Sequence, residues 1–236
     1  EIETVNSSSE HFNGLNVEKI ADFTNFEDIY LKILETDNLI LDVGASNLSA
    51  FMEKLSEFAG VETLFDYFVI PTVSGDKVAT DTARTILFLK SLGIENEKIK
   101  VVFNSAENIE HFNILFLQEE KINYKFDKDL FIPKSKLFTE LGLLRCTIND
   151  IYNPDVNSYK QAILDASQSE KLRVIKKDLA NRMAVAMLPK LKFVFEKMTG
   201  ISAKEEIKGK KQQVTKVTKM EEKKQEELIS DNDEEL

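Results

Sequence analysis

With 236 residues, of which 42% are apolar, the chain is long enough for one buried core with appendages. Its formal net charge of −10 argues against a broad electrostatic hold on nucleic-acid phosphates, so direct DNA binding by this chain is not expected. A lone cysteine, Cys146, excludes an intrachain disulfide and a cysteine-built metal site, and the two scattered histidines, His11 and His111, form no ligand pattern. This cysteine usage makes an intracellular, cytoplasmic location the default. No run approaches the roughly 18 consecutive apolar residues that a membrane span needs.

Taken in chain order, the first apolar run, Ile2 to Val5, reads as a strand that opens the chain. Leu39 to Val43 follows as a second short run, carrying Asp42 at its end and leading into Gly44-Ala45-Ser46-Asn47. It reads as a buried strand delivering one carboxylate to the edge of a parallel sheet. Tyr67 to Pro71 and Ile99 to Phe103 are similar. Each is too short for an ordinary helix and nearly continuous in hydrophobicity, as strands covered on both faces should be. Ile122 to Phe126 is a weaker strand pattern, and Leu130 to Pro133 closes the series.

Helical patterns lie between these runs, at Leu48 to Ala59, Lys77 to Leu92 and Asn108 to Glu119. In the second, Val78, Thr82, Ile86 and Leu89 recur at helical spacing and Gly93 supplies the stop. Strand and helix in alternation predict crossover units on one mostly parallel sheet, an α/β three-layer sandwich. A long helix is expected from Ser169 to Thr199, with Leu172, Ile175, Leu179, Met183 and Ala186 on one face and Pro189 kinking or splitting it. From Ser202 to Leu236 Lys, Glu and Gln dominate, which predicts a charged tail with no core of its own. The expected organisation is residues 1–150 as the α/β domain, 151–200 as a helical part packing on it, and 201–236 as the tail.

In an open α/β sheet, ligands sit outside the carboxyl ends of the strands. The segments there are Asn6 to Ser9, Asp42 to Asn47, Pro71 to Lys77, Asn104-Ser105 and Pro133 to Ser135, all small and polar or carrying a proline.

Four motifs in fixed order carry a resemblance to a known family. They are Leu41-Asp42-Val43-Gly44-Ala45-Ser46-Asn47; Val69-Ile70-Pro71-Thr72 with Lys77, Asp81-Thr82 and Leu92-Gly93; Lys100 to Asn104; and Phe131-Ile132-Pro133-Lys134-Ser135 with Leu141-Gly142 and Thr147-Ile148. Over roughly Ile2 to Asn149 the chain resembles the plasmid stability protein StbB family, itself similar to the ParA and MinD partitioning ATPases, which are deviant P-loop NTPases. The resemblance implies an ATPase that uses Mg²⁺, forms a nucleotide-dependent homodimer, and works in plasmid stability or positioning with a DNA-binding adaptor protein.

Residue by residue, the resemblance makes Asp42 the acid that holds a Mg²⁺-bound water. It sets Gly44 and Ala45 where backbone approaches a γ-phosphate. Asn104 becomes the asparagine that reads the purine edge, since its amide both donates and accepts. ATP is the expected nucleotide, with GTP open, because one asparagine does not choose between purines. Pro133 and Ser135 are candidates for shaping the base pocket. Asn6 falls where the family places a water-activating acid; an amide there can orient water but cannot act as a general base. Plainer readings stand beside each: a strand-end acid capping a turn for Asp42, an ordinary tight turn for Gly44-Ala45, an Asx-turn for Asn104.

The family's phosphate-binding loop, a Gly-rich turn with Lys and Ser or Thr, is absent from these 236 residues. Lys208-Gly209-Lys210-Lys211 sits in the polar tail with no strand before it. The expectation is therefore a partial P-loop NTPase domain lacking its first strand and loop, inactive alone. The competing expectation is a degenerate NTPase-fold scaffold acting only in protein–protein interaction. A different P-loop enzyme, such as a small-molecule kinase, would need a pocket with convergent charges that the sequence does not display.

Overall fold

The structure, a computed structural model, describes residues 17–20 and 22–202. The expected strand Ile2 to Val5, Asn6, and the tail from residue 203 onward lie outside the described residues.

Three of the apolar runs are strands: β1 Phe68–Thr72, β2 Ile99–Ala106 and β3 Phe131–Pro133. They form one all-parallel sheet in the order β1-β2-β3, with Phe68 opposite Ile99, Thr72 opposite Phe103 and Asn104 opposite Ile132. The fold is thus mixed α/β. β2 is central, and its Ile99, Val101, Val102, Phe103 and Ala106 are all buried, as a strand flanked on both sides requires. β1 contains Pro71, which has no N–H for a ladder; among the described residues this strand lies at the sheet edge, where such a loss is tolerated.

Helices α1 Phe26–Glu35 and α2 Leu48–Glu57 precede β1, and α3 Asp76–Ser91 links β1 to β2. α3 buries Ala79, Thr82, Ala83, Ile86 and Leu89, the three-and-four spacing of one helix face. Its stop is built as the sequence predicts. Gly93 takes φ +83°, its N–H donates to the Lys90 carbonyl at 3.0 Å, and the Ile94 N–H donates to the Leu89 carbonyl at 3.2 Å. That is a Schellman motif, and glycine carries no Cβ penalty at the left-handed position.

The main core is aromatic, drawn from 16 phenylalanines in a chain with no tryptophan. Phe103, at the middle of β2, is fully buried with ring centroids 4.8 Å from Phe112, 5.3 Å from Phe116 and 5.9 Å from Phe126. Tilted and edge-on pairs of this kind add about 0.5–1.5 kcal/mol each beyond the area they bury. A second cluster joins α6 Leu137–Leu144 and α7 Ile148–Ile151 to the long helix α9 Gln168–Thr199, which follows the short α8 Lys160–Asp165, through Leu137, Leu141, Ile151, Ala180, Ala184 and Met187. Thr147 and Asp150 start α7 with a capping box. The chain divides into two compact units, residues 1–191 and 192–236; the sheet and both clusters belong to the first.

Four expectations about elements are corrected. Leu39 to Val43 is not a buried strand: only Val43 forms an isolated bridge, while Leu39 is 43% and Ile40 90% exposed. Leu41 and Val43 pack toward the main core and Asp42 between them is exposed, so the alternation is that of a one-sided extended segment. Ile122 to Phe126 is not a strand: Ile122 closes the short helix Glu119–Ile122, Asn123 takes φ +48°, and Tyr124 to Phe126 have no ladder partner among the described residues. Asn108 to Glu119 is not one helix; it breaks into a 3₁₀ turn Ile109–Phe112, a short α4 Asn113–Phe116 and then α5 Glu119–Ile122. Pro189 does not split the last helix, which is continuous through it from Gln168 to Thr199.

Candidate functional site at the carboxyl edge of the sheet

Because all three strands are parallel, their carboxyl ends share one edge. β1 ends at Thr72 and passes through Val73-Ser74-Gly75 into α3, β2 ends in Asn104-Ser105-Ala106, and β3 ends at Pro133 before Lys134-Ser135. The ladder between β2 and β3 slips here. Asn104 pairs with Ile132 and Ala106 with Pro133, leaving Ser105 as an extra residue with φ +56°. A non-glycine residue in the left-handed region is a strained position, and bulges of this kind re-aim neighbouring side chains. The Lys134 N–H then donates to the Ala106 carbonyl at 3.0 Å, which carries the pairing past the bulge.

This register brings together three of the sequence-predicted site residues. Asn104, Pro133 and Ser135 stand on adjacent strand ends, with Asn104 and Pro133 half-buried. Ser135 also shapes the backbone, because its Oγ accepts the Leu137 N–H at 3.1 Å and so steers the chain into α6. Asp42, Gly44 and Ala45 come from the separate segment before α2, where the Asn47 N–H closes a turn onto the Gly44 carbonyl at 2.9 Å. No strand ladder among the described residues joins that segment to β1, β2 or β3.

A cavity of about 360 Å³ opens beside the end of β1, lined by Thr72, Ser74, Gly75, Asp76, His111 and Ile114 among others. Gly75 takes φ +145° ahead of α3, a conformation that favours glycine. The first-turn N–H groups of α3 give this cavity a positive end, but Asp76 in that same turn offsets it with a carboxylate. Thr72 is buried and its hydroxyl is bound to that of Thr82 at 2.9 Å. The segment Pro71 to Lys77 was legible in the sequence as a strand-end loop. His111 was not: it lies in the 3₁₀ turn that replaces the expected helix, and nothing in its neighbours marks it.

Two chemistries are disfavoured by these residues. Burial, and after it the Asp150 carboxylate, pushes the Cys146 thiol above its ordinary value, so it is not poised as a thiolate nucleophile. No three His, Cys, Asp or Glu side chains converge among the described residues, so an all-protein metal cage is not formed there. A Mg²⁺ ion bound through its waters needs less, and one exposed carboxylate such as Asp42 suits that role. Asn104 with the proline turn has the chemistry that a nucleotide base would need, and Asp42 that of a hydrated ion; among the described residues no Gly-rich loop with a Lys stands ready for phosphates.

No protein-family model, curated protein or solved structure matches the chain.

Proposed function

We propose that this chain carries the base-reading part of a nucleotide site in an StbB-like, ParA/MinD-like P-loop hydrolase, with ATP as ligand and GTP open. The observation that supports this reading is the placing of Asn104. It stands at the carboxyl end of the central strand, next to a left-handed bulge and beside the Pro133-Lys134-Ser135 turn. An amide there can donate and accept along a purine edge, while the proline turn supplies an apolar wall. The sheet order rises steadily from β1 to β3, so no switch point lies among the described strands. In this reading the phosphate side of the site is contributed from outside these three strands.

In this reading the reaction is phosphoryl transfer to water. Nucleotide with Mg²⁺ supplies the transferable group and neutralises its charge. Asn104 would hold the base, Asp42 would hold a hydrated Mg²⁺ ion, and Gly44 and Ala45 would leave room for close approach of backbone. Asn6 orients the attacking water. A homodimer closing around nucleotide, a DNA-binding adaptor partner and a role in plasmid stability belong to the same proposal.

A second reading, a scaffold without nucleotide chemistry, is favoured by one fact: no Gly-rich loop ending in Lys-Ser or Lys-Thr occurs in the sequence. Binding of a fluorescent ATP analogue to the whole protein separates the two. The hydrolase reading expects saturable binding that Asn104→Ala weakens about tenfold, the loss of roughly one well-made hydrogen-bonding group. Absence of binding by the wild-type protein would establish the scaffold instead.

A further inference from the structure

Helix α9 has two apolar sides, and among the described residues only one of them packs in a core cluster. Ala180, Ala184 and Met187 pack in the cluster with α6 and α7. Leu172, Ile175, Leu179, Met183 and Ala186 form the adjoining row; Met183 packs against that cluster, whereas Leu172 is 65% and Leu179 53% exposed. The spacing of Leu172, Leu179 and Ala186 is seven residues, that of a seam on which a second helix lies.

The charges beside that seam are of one sign. Residues 171–190 contain six Lys or Arg and a single acid, Asp178. Asp178 is buried and already receives the Arg182 Nε–H at 3.0 Å, so it contributes little to the outer face. Lys176 is exposed on one flank of the seam, and on the other Arg182 is exposed but paired with Asp178. This stretch is basic in a chain whose formal net charge is −10. A basic seam disfavours symmetric pairing with its own copy, because like charges would face each other across the contact.

We propose that this face of α9 is a docking surface for an acidic amphipathic helix of a partner protein, whose apolar stripe covers Leu172 and Leu179 while its Glu or Asp residues meet the flanking Lys and Arg. The surface is independent of the nucleotide reading. It is tested with the whole chain by fluorescence anisotropy, using as probe a labelled peptide of about three heptads with Leu at the seam positions and Glu beside them. The same peptide with Lys in place of Glu is the control. The acidic peptide should bind, the basic one should not, and the affinity should fall at least about tenfold on raising salt from about 50 to 500 mM. The double variant Leu172→Glu with Leu179→Glu should lose binding with an unchanged circular dichroism spectrum, since both side chains are exposed. Equal binding of the two peptides, or none, overturns the proposal. So does co-sedimentation with phosphatidylglycerol vesicles, or concentration-dependent dimerisation, that the double variant abolishes while peptide binding is missing.

Discussion

The hydroxyl of Thr72, the last residue of β1, meets the hydroxyl of Thr82 in α3 at 2.9 Å, and both side chains are buried. This bond ties the strand end at the candidate site to the helix that follows it. Removing one partner leaves the other buried without its mate, so Thr72→Val or Thr82→Val alone should cost about 1–3 kcal/mol. Replacing both removes the unmet polar group as well, and the double variant should recover most of that loss. Urea denaturation of the four proteins measures the cycle. Strictly additive losses would mean that the two hydroxyls do not interact.

Ser105 is held at φ +56° in the bulge of β2. Glycine adopts that conformation freely, whereas a β-branched side chain resists it. Ser105→Gly should be neutral or stabilising by up to about 1 kcal/mol, and Ser105→Val should cost about 1–2 kcal/mol. Thermal unfolding midpoints of the two variants give the comparison. Equal destabilisation by both would mean that the left-handed conformation at Ser105 carries no strain.

Tyr124 donates its hydroxyl to the Ile99 carbonyl at 2.8 Å, beneath the start of the central strand. Burial, and after it the Asp127 charge, holds this phenol protonated and pushes it up to about 12, against an opposing backbone hydrogen bond from Val101. The folded value lies above the unfolded one of about 10. The resulting contribution to stability is complete below about pH 10 and is lost as pH rises through about 12. Wild type should therefore lose more stability than Tyr124→Phe between about pH 9 and pH 11.5, a difference that urea midpoints at the two pH values report. Parallel losses would show that Tyr124 does not titrate with unfolding. At neutral pH Tyr124→Phe should cost about 0.5–1.5 kcal/mol for the lost hydrogen bond.

Much of the sheet was legible because its signals are local. Tyr67 to Pro71, Ile99 to Phe103 and Leu130 to Pro133 differ from the observed strands only at their ends, and the α3 stop at Gly93 follows from one residue's conformational freedom. The candidate site was legible as a set of strand-end loops, since parallel strands send their carboxyl ends to one edge whatever their side chains. The pairing of Asn104 with the Pro133 turn depends on a ladder slip at Ser105, which no local pattern announces. His111 joins the cavity only because the segment after β2 breaks into a 3₁₀ turn.

By itself the sequence determined the alternation of strand and helix and the composition that excludes an intrachain disulfide or a cysteine-built metal cage. The tertiary structure alone decided which apolar faces are covered. Leu39 to Val43 has the hydrophobicity of a buried strand yet leaves Ile40 exposed, and α9 turns Ala180 and Ala184 inward while Leu172 and Leu179 face out. Periodicity records that a face can be buried. Whether it is buried depends on which neighbour has a complementary surface within reach, and that is a property of the assembled chain.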